Sequence, residues 1–168
     1  MTAHRTLLMI PVLALALMAA PPASAGDLPI DFGFRGGYCV GTDGPFFGTE
    51  AVIPFLPHIK LNPNVEWAIG ENLNTVTLNA DAFLELPVPD GPTRLWAGAG
   101  PAILFRDYDW PSGPPGRPPH HKDDDVDLGF NLFSGVGWKA ADGPMFYFQG
   151  KVVLTSDVEG VFGLGIRF

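Results

Sequence analysis

The last nine residues of the chain, GVFGLGIRF (160–168), decide how the rest of the sequence is interpreted. Glycine, valine and arginine alternate there with large apolar residues, which are Phe162, Leu164, Ile166 and Phe168. Successive side chains of a β-strand point to opposite faces. The spacing therefore predicts a strand with one strongly apolar face and one nearly bare face.

The same two-residue period recurs along the chain. It defines eight predicted strands, near 30–40, 46–55, 59–69, 75–86, 93–106, 127–139, 145–154 and 158–168. Turn signals rich in glycine, proline and aspartate separate them, for example GTDGP (41–45) and PVPDGP (87–92). After residue 25 the sequence shows no 3.6-residue period typical of an amphipathic helix. The pattern predicts one all-β domain.

Charge separates cleanly between the two faces of the predicted strands. One face carries no charged residue, and the other carries seven cations and seven anions. We predict that these fourteen residues form a charge network: Asp31, Arg35, Glu50, Lys60, Glu66, Asp81, Glu85, Arg94, Arg106, Asp127, Lys139, Lys151, Glu159 and Arg167. Equal numbers of each sign suit mutual pairing inside a closed space, because a buried charge without a partner costs several kcal/mol.

Two architectures produce this alternation. A soluble sandwich or lipocalin-like barrel turns its apolar face inward, whereas a transmembrane barrel turns it toward lipid. The charged face is rich in glycine, which we expect to make room for long arginine and lysine side chains. Only 17% of the residues are charged, fewer than on most soluble surfaces. These features favour a closed, antiparallel, eight-stranded, up-and-down transmembrane β-barrel.

The first 25 residues have the composition of a secretory signal peptide. His4 and Arg5 precede an apolar run from Leu7 to Ala20, and Ala23-Ser24-Ala25 completes an A-x-A motif. We expect cleavage after Ala25, which leaves 26–168 as the barrel domain. That part holds nine cations and eighteen acids, a net charge of −9, with no basic stripe. This balance argues against a nucleic-acid partner.

Taken with the leader and the alternation, the final strand that ends in phenylalanine resembles the small eight-stranded outer-membrane barrels of Gram-negative bacteria. LNPNVEWAIG (61–70), LNADAFLEL (78–86) and DLGFNLFSGVGW (127–138) are similar to strands of that class. The resemblance implies residence in the cell outer membrane, in contact with its lipid. It also implies that the barrel-assembly machinery recognises a terminal signal formed by Phe162, Leu164, Ile166 and Phe168.

An eight-stranded barrel has an interior that side chains just fill, so we expect a polar plug and a structural or surface-interaction role. The proline-rich segment 107–126 is expected to form a long, irregular external loop that meets an unidentified surface partner. A narrow-pore channel and a soluble lipocalin-like carrier are alternatives. A lipid A-modifying enzyme is another, with these available groups: Ser134, Ser156, His120, His121 and Glu159.

We expect no cofactor. The run HHKDDD (120–125) offers imidazole and carboxylate groups to a divalent cation, through His120, His121, Asp123, Asp124 and Asp125. A solvated charge run is the competing interpretation, because this spacing fits no defined metal motif. Pro101 falls in mid-strand, where proline cannot donate to the ladder, and it predicts a bulge or a strand end there.

Overall fold

A computed structural model describes residues 30–89, 91–110, 121–139, 141 and 143–168. They form one closed barrel of eight antiparallel strands in chain order. The strands are β1 (Asp31–Cys39), β2 (Gly44–Leu56), β3 (Ile59–Ile69), β4 (Leu73–Pro87), β5 (Thr93–Trp110), β6 (His121–Lys139), β7 (Met145–Leu154) and β8 (Val158–Arg167). The described part of the chain contains no helix that is long and apolar enough to cross a membrane.

The first and last strands close the barrel. β1 pairs with β8 from Gly33↔Arg167 to Cys39↔Val161. Each strand therefore has two partners, which removes the sheet edges that would leave backbone groups unpaired in lipid. We call the end where β1 begins and β8 ends the periplasmic end, and the opposite end the external end.

Burial is inverted relative to a soluble protein. Phe47 and Leu164 on the outer face are 61% and 68% exposed, whereas Glu50 on the inner face is fully buried. The outward side chains are predominantly apolar in every strand, and aromatic residues such as Tyr38 and Trp138 lie near the two ends of this apolar belt. An exposed apolar surface that encircles the molecule requires lipid around it. The arrangement is the opposite of a lipocalin-like carrier.

The prediction of a bulge or strand end at Pro101 is wrong. β5 runs through it without a break, and the register with β4 is the same on both sides, from Asn79↔Ala102 to Ala82↔Ala99. Only the two residue pairs between Asn79↔Ala102 and Ala82↔Ala99 are missing from the β4–β5 ladder. A proline that lacks its N–H removes a hydrogen bond on one side of the strand without adding a residue. The irregularity lies instead between Pro54 and Leu56, at the periplasmic end of β2.

The predicted loop over 107–126 is shorter than expected. β5 continues to Trp110 and β6 begins at His121, so the two strands contain ten more residues than the sequence pattern indicated, at 107–110 and 121–126. Arg106 and Asp125 are Cα partners in this extension, and opposite charges across a ladder favour pairing. Because these two segments are polar, the sequence pattern did not indicate that they form strands. The prolines of the predicted loop, at 111–119, lie outside the described residues.

Candidate functional site

The barrel interior is the candidate site, and its buried side chains form three layers. The external apolar layer contains Cys39, Phe46, Ala68, Ala102, Leu104, Val153 and Val161. The central network contains Arg35, Glu50, Asn62, Asn64, Glu66, Asn79, Asp81, Asn131, Lys151 and Arg167. The periplasmic aromatic layer contains Val52, Phe83, Trp96, Phe133, Met145 and Tyr147. Charged groups therefore lie between two apolar layers.

Two glutamates organise the charges of the central network. The Arg35 Nη2 atom lies 3.0 Å from Glu66 Oε1, and its Nη1 atom lies 3.7 Å from Glu50 Oε2. Lys151 forms an ion pair with Glu66, and the Arg167 Nε atom lies 2.5 Å from Glu50 Oε1. Each glutamate is thus shared by two cations, so the five strands that supply these groups are tied together across the lumen.

Asp81 accepts hydrogen bonds from side-chain amides, whereas the two glutamates pair with cations. Asn64 Nδ2 donates to Asp81 Oδ2 at 2.9 Å, and Asn131 Nδ2 donates to Asp81 Oδ1 at 2.9 Å. Asn131 is fully buried and also donates to Asn79 at 2.7 Å. Arg35, Lys151 and Arg167 balance Glu50, Glu66 and Asp81, so the network is electrically neutral. Pairing lowers the cost of burying these charges, although the Arg35 and Arg167 side chains keep buried nitrogen atoms without a hydrogen-bond partner.

The asparagines of the network were not among the residues predicted from the sequence. Asn62, Asn64, Asn79 and Asn131 share the strand face of the charged residues. The two-residue period that identified the inward charged residues also assigns these asparagines to the inner face. An uncharged amide does not stand out in a pattern defined by the separation of charges between two faces.

Arg167 joins the central network to the periplasmic aromatic layer. Its guanidinium carbon lies 4.5 Å from the ring centre of Tyr147, 5.0 Å from that of Trp96 and 5.5 Å from that of Phe83. Tyr147 donates its hydroxyl hydrogen to Glu50 Oε1 at 2.8 Å. The same glutamate therefore holds the arginine and the tyrosine, and the aromatic rings surround the arginine from the periplasmic side.

Several inward glycines accommodate these rings, and others make room for arginine, as expected. A Cβ atom at Gly135 would lie 2.4 Å from the Trp96 ring, and one at Gly165 would lie 2.2 Å from the Tyr147 ring. A Cβ atom at Gly33 would lie 3.0 Å from Arg167 Cγ and 2.8 Å from a carboxylate oxygen of Glu50. Gly135 and Gly165 are the Cα partners of Trp96 and Tyr147 on the neighbouring strands, so each ring lies beside a position that has no side chain.

The fourteen predicted charges do not form one network. Six of them belong to the central network. Arg106 pairs with Asp127 at 2.8 Å and with Glu159 at the external end, and Lys60 pairs with Glu85 at 2.9 Å at the periplasmic end. The last three have no ion pair with any described residue: Asp31, Arg94 and Lys139. The apolar layers separate the charged groups along the barrel axis. The two-residue period predicts only which face of a strand a side chain is on, and it does not predict the position along that axis.

Among the described residues, the groups predicted for catalysis or for metal binding do not lie together. Ser134 is exposed on the lipid face, and Ser156 lies in the turn between β7 and β8. The side chains of His120, His121, Asp123 and Asp124 lie outside the described residues, and Asp125 is exposed. Within the described part of the chain no group of three His, Cys, Asp or Glu residues has the geometry of a metal site.

The terminal-signal residues lie on β8 and directly after it. Phe162, Leu164 and Phe168 are exposed on the outer face, and Ile166 is half-buried on the same face. Phe168 follows the strand and donates its backbone N–H to the Phe32 carbonyl at 2.9 Å. The apolar stripe is therefore continuous to the last residue.

Comparison with known proteins gives matches to structures only. No family model and no curated protein matches the chain. The N-terminal β-barrel domain of Pseudomonas aeruginosa OprF superposes with a TM-score of 0.69 at 12% identity, over 83% of this chain and 95% of that one. Neisserial surface protein A superposes with a TM-score of 0.65 at 10% identity, over 82% of this chain and 95% of that one.

A third solved structure extends the range of activities found on this fold. The outer membrane enzyme PagL superposes with a TM-score of 0.50 at 12% identity, over 82% of this chain and 98% of that one. A barrel domain, a surface protein and an enzyme thus share one architecture, so the fold does not determine the activity. The chain has the fold of the small eight-stranded outer-membrane β-barrels.

Proposed function

We propose that the protein resides in the outer membrane as a barrel without an open pore, and that it has a structural or surface-interaction role through its external end. The observation that carries this proposal is the central network. Six buried charges and four buried asparagine side chains occupy the lumen at mid-height, and an apolar layer adjoins them on each side.

The energetics of the network favour a closed lumen. An ion that crossed the barrel would have to separate pairs such as Arg167–Glu50, whose side chains are 4% and 0% exposed. Removing one partner of a buried pair leaves an uncompensated charge and costs about 3–5 kcal/mol. The lumen also narrows at the rings of Phe83, Trp96 and Tyr147 around Arg167. A wide diffusion path is incompatible with this packing.

The external end supports the interaction part of the proposal. Nine residues of β6, from His121 to Gly129, pair with β5 only, because β7 pairs with β6 no further than Phe130↔Leu154. On its other side β5 still pairs with β4 as far as Leu73↔Tyr108, so the rim of the barrel is uneven here. At about 3.3 Å per residue, β6 runs roughly 30 Å past its last pair with β7. A rim of that height presents a larger surface than a tight turn does.

Planar-bilayer recording tests the closed lumen. We expect no stable large conductance from the folded chain. A persistent large open state would contradict the proposal. The E66Q/E50Q variant is the informative comparison, because it removes both shared carboxylates and should raise the frequency of openings relative to the native chain.

Deletion of residues 110–124 tests the role of the external end. The shortened chain keeps every strand of the barrel wall, so it should still show a heat-modifiable gel shift while losing cell-surface phenotypes of the intact protein. Retention of every phenotype would contradict an external interaction role. Release of fatty acid from lipid A by the purified barrel would replace this proposal with an enzymatic function.

The route to the membrane is part of the proposal. The leader at 1–25 would direct export, and the terminal stripe from Phe162 to Phe168 would be recognised by the barrel-assembly machinery. An F168S variant should accumulate in the periplasm as unfolded chain, detected by fractionation and by loss of the heat-modifiable form. Normal insertion of this variant would argue against the terminal signal.

A further inference from the structure

The periplasmic mouth of the barrel contains a cavity of about 150 Å³ that the proposed function does not use. We call it the periplasmic vestibule. Six charged residues line it: Asp31, Lys60, Glu85, Arg94, Lys139 and Arg167. Met145 of the periplasmic aromatic layer also lines it, and Arg167 connects it to the central network.

Charge is distributed unevenly around the vestibule. Lys60 and Glu85 neutralise each other at 2.9 Å, and Glu50 neutralises Arg167 from the lumen side. Arg94 and Lys139 have no ion pair with a described residue. They lie on the neighbouring strands β5 and β6, so two cations without an ion pair to a described residue are adjacent on one wall. Asp31 is the single lining carboxylate without such a pair, and it lies on β1.

Arg167 supplies an independent indication of a ligand. Its side chain is 4% exposed, and its Nε and Nη2 atoms donate to Glu50. Its Nη1 atom is buried and has no hydrogen-bond partner in the described structure. A buried guanidinium N–H without an acceptor is costly, because a charged donor loses its hydration without replacement. Arg167 also lines the vestibule, so an acceptor bound there would lie beside the side chain that carries this N–H.

We propose that the periplasmic vestibule binds one oxyanion of the phosphate class. Arg94, Lys139 and the Arg167 Nη1 atom provide charged donors on β5, β6 and β8. A tetrahedral oxyanion presents several acceptor oxygens, and guanidinium groups match it in charge and geometry. The volume suits a single phosphate group with its water. The ligand is inorganic phosphate or the phosphate of a lipid headgroup in the adjacent leaflet.

Phosphate titration of the full chain folded in maltoside micelles tests the proposal. The micelles contain no phosphate, and chloride at the same ionic strength is the reference. We expect saturable binding at one site, measured by calorimetry. The R94Q/K139Q variant should bind at least about tenfold more weakly, which corresponds to about 1.4 kcal/mol. Absence of saturable binding to the native chain would overturn the proposal.

Matched variants separate a built site from general attraction to positive charge. R117Q/K122Q removes two cations from the external connection and should bind phosphate like the native chain. R94K/K139R keeps both charges and should retain binding. Equal binding by R94Q/K139Q and the native chain, or equal losses in both glutamine variants, would overturn the proposal. A heat-modifiable gel shift verifies that each variant is folded, and R94Q alone replaces the double variant where needed.

A second arm identifies the source of the phosphate. Phosphatidylglycerol is added to the micelles during the titration. A headgroup ligand would compete and raise the apparent dissociation constant of inorganic phosphate, whereas a free-phosphate site would be unaffected. Both results support the vestibule as a phosphate-class site. The test is independent of the closed lumen, because binding at the mouth requires no path through the barrel.

Discussion

The inner and outer faces of the same strands obey different rules. On the outer face, neighbours such as Leu132 and Val152 share only apolarity and exposure to lipid. On the inner face, Glu50 has specific partners in Arg35, Arg167 and Tyr147. The outer face therefore requires only an apolar residue at each position, whereas the inner face requires a specific residue. The consequences of substitution should differ accordingly.

The largest effect is expected from E50Q. Glutamine keeps the shape of the side chain and removes its charge, leaving two arginines without their shared anion. We expect the free energy of unfolding to fall by about 3–5 kcal/mol. Urea unfolding in liposomes, followed by gel shift and circular dichroism, measures it.

The matched outer variant for E50Q is F47L, which replaces one lipid-facing apolar residue by another. Its loss should be about 1 kcal/mol or less. A loss from E50Q no greater than that from F47L would remove the distinction between the faces.

A charge on the outer face should produce the next largest effect. Leu132 lies near the middle of the membrane-spanning part of β6, and L132R places a cation in hydrocarbon. We expect a loss of about 2–4 kcal/mol in the same unfolding assay. The control L132F keeps the face apolar and should be nearly neutral. If both variants unfold alike, the outer face does not contact lipid.

Glycine substitutions compare packing on the two faces with an identical chemical change. G135A places a methyl group 2.4 Å from the Trp96 ring, whereas G150A places one 3.7 Å from Phe162 on the outer face. Overpacking should cost G135A about 1–3 kcal/mol. G150A should unfold like the native chain. Equal stabilities would show that the inner glycine is not required by the ring.

The smallest effect is expected from K60Q at the periplasmic end. Lys60 and Glu85 form a 2.9 Å pair, with side chains 23% and 13% exposed. A pair that water reaches contributes about 1 kcal/mol or less and weakens as salt rises. Unfolding at two salt concentrations measures both properties. A loss as large as that of E50Q would show that depth within the lumen does not set the strength of a pair.

Much of the fold follows from the two-residue period, because in a closed barrel it assigns each side chain to lipid or lumen. Strand number, pairing order and the sidedness of residues such as Glu66 and Phe162 were predictable in this way. Height in the barrel was not, because it depends on strand tilt and register. Consequently the separation of Arg106 from Glu66 by Leu104 and its neighbours was not foreseen.

Other features escaped the sequence pattern for local reasons. The strand extension to Trp110 and His121 is rich in acidic residues, so no apolar alternation marks it. Pro101 stays within a regular strand because its neighbours on both sides hold the register. The proposed anion site in the vestibule depends on which charged side chains lack an ion-pair partner. Only the three-dimensional arrangement of the side chains determines this.

Two native tryptophans provide the most direct test that the apolar face contacts lipid while the other face is enclosed. Trp138 and Trp96 lie near the same end of adjacent strands, and they are 50% and 3% exposed. Single-tryptophan variants in liposomes of brominated lipid would report contact with the acyl chains. The account predicts strong quenching of Trp138 and weak quenching of Trp96. Equal quenching, or stronger quenching of Trp96, would contradict it.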